Sequence, residues 1–203
     1  MRAQTVEVGE REAIPRSPDF HGIVSLGGPM SADDPHEVLA AERALLASAA
    51  EHEVPVLGVC LGAQLLAHAL GARIYPNPAG REVGVSEVLV TEDGRSDPLL
   101  AGLPNPLPVM QWHGDAFELP AGASLLATSP ACTNQAFRFG RRAYGVLFHP
   151  EVGPAEARDW LSREEYREYA AGAHRVPDEI AAEARALGPA GVRLFENWLD
   201  LAV

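Results

Sequence analysis

The sequence predicts an α/β fold with a helical C-terminal part, and three patterns carry that reading. An apolar, partly β-branched run at 54–59 leads through GVCLG into 64–70, whose apolar positions recur at helical spacing and stop at Gly71, a residue type suited to end a helix. Short strand-like segments then succeed one another between 82 and 148, and beyond Glu151 only helical periodicities remain.

In chain order, the apolar stretch 23–26 is a short strand running into Gly27, Gly28 and Pro29. Asp34, Pro35 and Glu37 supply a side-chain cap, a first-turn proline and an acid three residues after the cap, so a helix is expected from there to about His52. Its apolar face would cover a parallel sheet. Residues 54–59 form the next strand and 64–70 the next helix. The valines at 83, 85, 88 and 90 mark 82–91 as a strand with one slip in its alternation, and 107–112, 124–129, 135–139 and 143–148 are further short strands. Pro104, Pro106 and Pro108 make the preceding stretch a surface loop, not a linker between domains. Helices are expected at 154–161, 163–171, 177–187 and 191–201. Trp160, Tyr166, Tyr169, Phe195 and Trp198 lie on their packing faces, where core burial is favoured over a ligand box and a partner-docking helix is the alternative. There are no internal repeats or low-complexity segments.

Chemistry concentrates at three places. Cys60 stands between Gly58 and Gly62 at a strand-to-helix turn, the logic by which G-x-S-x-G exposes a nucleophile, and the following helix directs its N-terminal N–H groups at the sulfur, favouring thiolate. In AYGVLFHPEV, Pro150 biases His149 toward extended backbone, so His149 and Glu151 point to the same side. Together the three residues make a Cys-His-Glu triad: nucleophile, base, and the acid that orients the base. Upstream, the turn in GIVSLGGPMSADD can present the Gly28 amide beside that of Leu61, two donors for an oxyanion. The chain has no G-x-x-x-x-G-K-[ST] and no G-x-G-x-x-G, so the glycines are not read as a phosphate loop.

The order LGGPMS, GVCLGAQLLA, QWHGD, FHPEV resembles the class I glutamine amidotransferases, and among them stand-alone proteins similar to the amidotransferase domain of GMP synthase. The resemblance covers about residues 20–151. It implies Cys60 as the thioester-forming nucleophile, His149 as base, Glu151 as acid, and the oxyanion amides at Gly28 and Leu61. It also implies Gln64 as a glutamine-binding residue, and Trp112, His113 and Asp115 as substrate contacts, Asp115 partnering the ammonium group. The implied activity is hydrolysis of L-glutamine to glutamate and ammonia, without cofactor or metal, the ammonia passing to a separate synthetase subunit. The implied fold is flavodoxin-like, an open parallel sheet flanked by helices with an added antiparallel ribbon. Family members usually begin with a strand and a helix ahead of the segment that here starts MRAQTVEVGE. The chain is therefore expected to enter at the second strand and to lack the strand between the second and third, and a longer product would be the more stable.

Length and composition agree with one compact domain over 1–203, in which 151–203 is a helical extension: 47% hydrophobic residues suffice for a sizeable core. A net charge of −12, from 16 basic against 28 acidic residues, argues against a nucleic-acid partner. Two cysteines, one assigned to catalysis, leave Cys132 without a disulfide role and suit a reducing, cytoplasmic location. No apolar run is long enough to cross a bilayer, so no membrane partner is expected. His113, Asp115, His149 and Glu151 lack metal-ligand spacing, so no metal site is expected. Two other functions share these motifs: a self-contained γ-glutamyl hydrolase using the same triad, and a non-catalytic binding module on a retained fold. The chain has no SGGxDS-type loop for nucleotide activation, which keeps the first open.

Overall fold

The computed structural model describes residues 3–7 and 13–202, so part of the segment MRAQTVEVGE lies outside the described residues. A seven-stranded mixed sheet has the order β1-β2-β9-β8-β7-β4-β5. Its parallel part is short: β1 (Ile23–Ser25), β2 (Val56–Val59) and β9 (Ala143–Val146). The other neighbours, β8 (Ala136–Phe139), β7 (Ser124–Thr128), β4 (Glu82–Val90) and β5 (Leu107–His113), pair antiparallel. A separate antiparallel ribbon joins β3 (Ile74–Pro76) to β6 (Asp115–Phe117), two strands too short to stand out in the sequence.

The sheet curls because β4 serves two partners. Residues 82–88 pair with β5, whereas Leu89 and Val90 pair with β7. The valine alternation slips between Val85 and Val88, and upstream of it Gly84, at φ +95°, lies buried beside Val83. The curl brings β5 round to the chain leaving β9, where the His149 N–H donates to the Met110 carbonyl at 2.8 Å.

Helices cover both faces. On one, α1 (Glu37–Glu51) and α2 (Leu61–Ala69) bury Leu39, Leu46, Leu65 and Leu66 over Val56, Phe117 and Phe137. On the other, α7 (Pro189–Ala202) inserts Leu194 and Trp198 among Leu57, Tyr144 and Phe148, joined by Leu99 and Leu100, which follow the short α3 (Glu92–Ser96). The remaining helices, α4 (Pro154–Ser162), α5 (Glu164–Gly172) and α6 (Pro177–Glu183), close over the β4–β5 end through Met110, Val152, Leu161 and Ile180. No helix among the described residues is long and apolar enough to cross a membrane.

Three sequence expectations are corrected. First, α1 starts at Glu37 with His36 as N-cap, because the Asp34 carboxylate is already engaged with the Ser31 N–H at 2.9 Å in the preceding turn. Second, Pro108 lies within β5 opposite Glu87. The loop before it is tied down by Asn105, whose side chain bonds both the N–H and the carbonyl of Val90. Third, β1 and β2 pair directly with each other, Ile23 opposite Val56, so no gap opens between those two strands.

One close approach fixes the centre of the fold. A Cβ at Gly62 would stand 2.1 Å from the Ser25 carbonyl oxygen, and one at Gly58 would stand 2.5 Å from the Gly62 carbonyl oxygen. Because the obstructing atoms are backbone, no side-chain rotation can relieve either clash. Gly62→Ala is expected to cost at least about 3 kcal/mol of unfolding free energy, the upper range for overpacking. Gly122→Ala, at φ +82° with open space around it, should cost only about 1–2 kcal/mol from its left-handed backbone. Denaturant melts measure both, and equal losses would refute this account of the crossing.

Candidate active site

Cys60 is the last residue before α2, and the glycine crossing forces it into φ 51°, ψ −109°, a conformation that residues with a Cβ rarely adopt. The turn lies at the carboxyl end of β2. Since β2 and β9 run parallel with Val59 opposite Val146, the chain leaves both strands at the same end of the sheet, and the Cys60 N–H donates to the Val146 carbonyl at 2.9 Å. Three residues past Val146 comes His149. The register of two strands therefore sets Cys60 beside His149.

His149 is 5% exposed, and its Nδ1 lies 2.6 Å from Oε1 of Glu151. That contact leaves Nε2 as the ring's free nitrogen, buried and without a hydrogen-bond partner among the described residues. Gly27 shows how closely the ring and the nucleophile converge: a Cβ there would stand 3.0 Å from His149 Cε1 and 3.6 Å from Cys60 Cβ. Burial opposes charge on the imidazole, but the Cys60 sulfur as thiolate and the Glu151 carboxylate outweigh it and push the His149 pKa up to about 10. The Cys60 thiol, 7% exposed, points to the Trp112 carbonyl at 3.8 Å.

The other residues singled out in the sequence gather around this centre. Leu61 is the first residue of α2, where helix N–H groups have no intrahelical acceptor. A Cβ on Gly28 would stand 2.9 Å from Leu61 Cδ2, so the two oxyanion candidates are neighbours. The Gln64 amide, on the next turn, donates to the Asp115 carbonyl at 3.2 Å. The Asp115 carboxylate accepts from the Ser31 hydroxyl at 3.3 Å. His113 sits differently from the contact expected of it. Its side chain is buried, with Nδ1 3.1 Å from the Asp115 carbonyl and Nε2 3.1 Å from Glu82, so both nitrogens face protein and the ring braces the loop from behind. Glu82 in turn accepts from Ser129 at 3.2 Å and Gln135 at 2.9 Å.

Sequence reasoning missed Gly27, Ser31 and Glu82. For Glu82 a signal existed, a lone acid opening a valine-rich strand, but only the fold shows that it faces inward. The aromatic residues of the tail divide. Trp198 and Phe195 pack toward the core, as expected. Trp160, Tyr166 and Tyr169 instead stay half-buried and gather on Trp112, with ring centroids 5.6–5.9 Å from it. Trp160 also meets His149 edge-on at 5.0 Å. No three His, Cys, Asp or Glu side chains among the described residues are grouped to hold a metal ion. Cys132 is a free, buried thiol that burial pushes up to about pKa 11.

The arrangement could serve as a nucleophile paired with an oriented base and two oxyanion donors, and comparison with known proteins gives the family. The family model "glutamine amidotransferase class-I" matches residues 3–168. The chain is 34% identical over 181 residues to the glutamine amidotransferase-like protein YfeJ of Salmonella typhimurium, covering 86% of this chain and 75% of that protein. It is 35% identical over 168 residues to a subunit of the glutamine-hydrolysing GMP synthase of Natronomonas pharaonis, covering 82% of this chain and 84% of that one. Among solved structures, a glutamine amidotransferase from Thermotoga maritima superposes with a TM-score of 0.78 at 32% identity, over 88% of this chain and 77% of that one. By family match, sequence identity and fold, this chain belongs to the class I glutamine amidotransferases.

Proposed function

We propose that this protein hydrolyses L-glutamine to glutamate and ammonia through a thioester on Cys60, and that the ammonia passes to a separate synthetase subunit. The observation that carries the reading is His149, held by Glu151 at 2.6 Å on one nitrogen while the other is left free beside Cys60. Kinship to a protein that is, by its name, one subunit of a GMP synthase supports the handover.

In this reading the thiolate attacks the γ-carbonyl carbon, and the oxygen that becomes anionic is met by the amides of Gly28 and Leu61. Attack consumes the negative charge on sulfur, one of the two partners that keep the proton on His149. The imidazolium becomes a stronger acid at the step that requires it, and its proton goes to the nitrogen as the C–N bond breaks and ammonia leaves. His149, now neutral, takes a proton from water, whose oxygen attacks the thioester. The C–S bond breaks, glutamate leaves, and the thiolate–imidazolium pair re-forms. In the same reading Asp115, with Ser31 beside it, receives the α-ammonium group, while Gln64 and His113 hold the backbone of that residue.

These outcomes are expected. A glutamine-analogue diazo-ketone should add once to the wild type and not to Cys60→Ala, read by intact mass. Glutamate release should fall at least about 10⁴-fold in that variant. Failure of the wild type to form the adduct or release glutamate would overturn the reading. Titration of the imidazole Cε1–H by NMR should place His149 well above the ordinary value of about 6.5, with a clear drop in Cys60→Ala and in Glu151→Gln. Because His149 binds its proton more tightly folded than unfolded, this pair's contribution to stability is complete below that ordinary value. It fades as pH rises through about 10. Adding the synthetase subunit of GMP synthase with its nucleotide substrate and ATP should raise glutamate release if ammonia is handed on, and an unchanged rate would count against that acceptor.

A further inference from the structure

The aromatic rings that α4 and α5 bring to the site have no part in the mechanism above, and their placement bears on which amides can react. Leaving-group departure requires the amide nitrogen to take its proton from His149, so it must lie within about 3 Å of the imidazole. The Trp160 ring stands edge-on to that imidazole with centroids 5.0 Å apart. Tyr166 stacks on Trp160 at 5.3 Å and reaches Trp112 at 5.6 Å. The Trp112 carbonyl faces the Cys60 sulfur. A run of touching rings thus leads from His149 to Trp112, since centroid separations of about 4.5–7 Å are those of rings in direct contact.

The rings are placed firmly. Helix α4 begins at Pro154, just past Glu151, with its start closed by the Gly153 N–H donating to Glu156 at 3.0 Å. Leu161, beside Trp160, is buried under the tail. Trp112, Trp160, Tyr166 and Tyr169 are all half-buried, so the cluster stands between the packed interior and solvent, as a wall does. Cys60 and His149 behind it are 7% and 5% exposed.

Resting on the glutamine-hydrolysis reading, we infer that Trp160 and Tyr166 wall the leaving-group side of the site, admitting an unsubstituted γ-amide nitrogen and excluding N-substituted γ-glutamyl amides. An unsubstituted amide nitrogen needs no volume beyond its own two hydrogens. An alkyl or aryl substituent on the same nitrogen needs the volume the rings occupy, and rings in mutual contact leave no slot into which it could stack.

The test compares kcat/KM for L-glutamine, γ-glutamyl methylamide and γ-glutamyl anilide in the full chain. The ratio of glutamine to anilide should fall at least about tenfold in Trp160→Ala, through a gain on the anilide and not only a loss on glutamine, with the methylamide between the two. Trp160→Phe should keep most of the wild-type ratio. Tyr166→Ala, on a half-buried residue, decides the matter should Trp160→Ala fail to fold. A wild type that cleaves the anilide as readily as glutamine overturns the filter, and so does a ratio that neither alanine variant moves. Those results leave glutamine hydrolysis standing, whereas a wild type inert to all three amides and to the diazo-ketone overturns both readings.

Discussion

Everything at the centre of this molecule depends on backbone meeting backbone where α2 crosses β1 and β2. Gly58 and Gly62 allow the helix to start directly against the strands, with the Ser25 carbonyl occupying the space a side chain at 62 would need. The residue caught in the turn must adopt positive φ, and that residue is Cys60. Steric necessity thus lifts the sulfur out of the sheet and puts it at the end of a helix whose first N–H groups are unpaired. The strain at Cys60 is tolerated because β2 on one side and α2 on the other over-determine the turn.

The base is brought in by sheet geometry. Parallel register between β2 and β9 aligns the two chain exits, and the curl produced by β4 returns β5 to the His149 segment, where a backbone bridge to Met110 pins it. His149 is consequently held by its backbone as well as by Glu151. Burial alone would discharge the imidazole, yet the sulfur and the carboxylate on either side keep it protonated far above its ordinary range. In the proposed reaction an imidazole so poised yields its proton when one of those partners is spent in bond formation.

The helical tail serves the site as well as the core. Trp198 and Leu194 of α7 complete the packing on one face of the sheet, while α4 and α5 deliver rings to the cleft. Beneath the loop that carries Trp112 and Asp115, Glu82 ties His113, Gln135 and Ser129 together from three separate strands or loops. That polar knot is internal, so its members brace the β5–β6 junction from beneath.

Local chemistry made much of this legible in the amino-acid sequence. Glycines around Cys60 announced a tight strand-to-helix turn, and two residues on one side of an extended chain announced the pairing of His149 with Glu151, because both depend on neighbours in the chain. Element types followed from periodicity, apart from β3, β6 and α3, which are too short to show one. What depends on distant parts of the chain meeting was not legible. The inward turn of Glu82 and His113, the closeness of Gly27 to both Cys60 and His149, and the edge-on approach of Trp160 to the imidazole all follow from sheet curl and helix docking. An apolar stripe looks the same whatever it packs against, and only the packed tertiary structure gives each ring its neighbours.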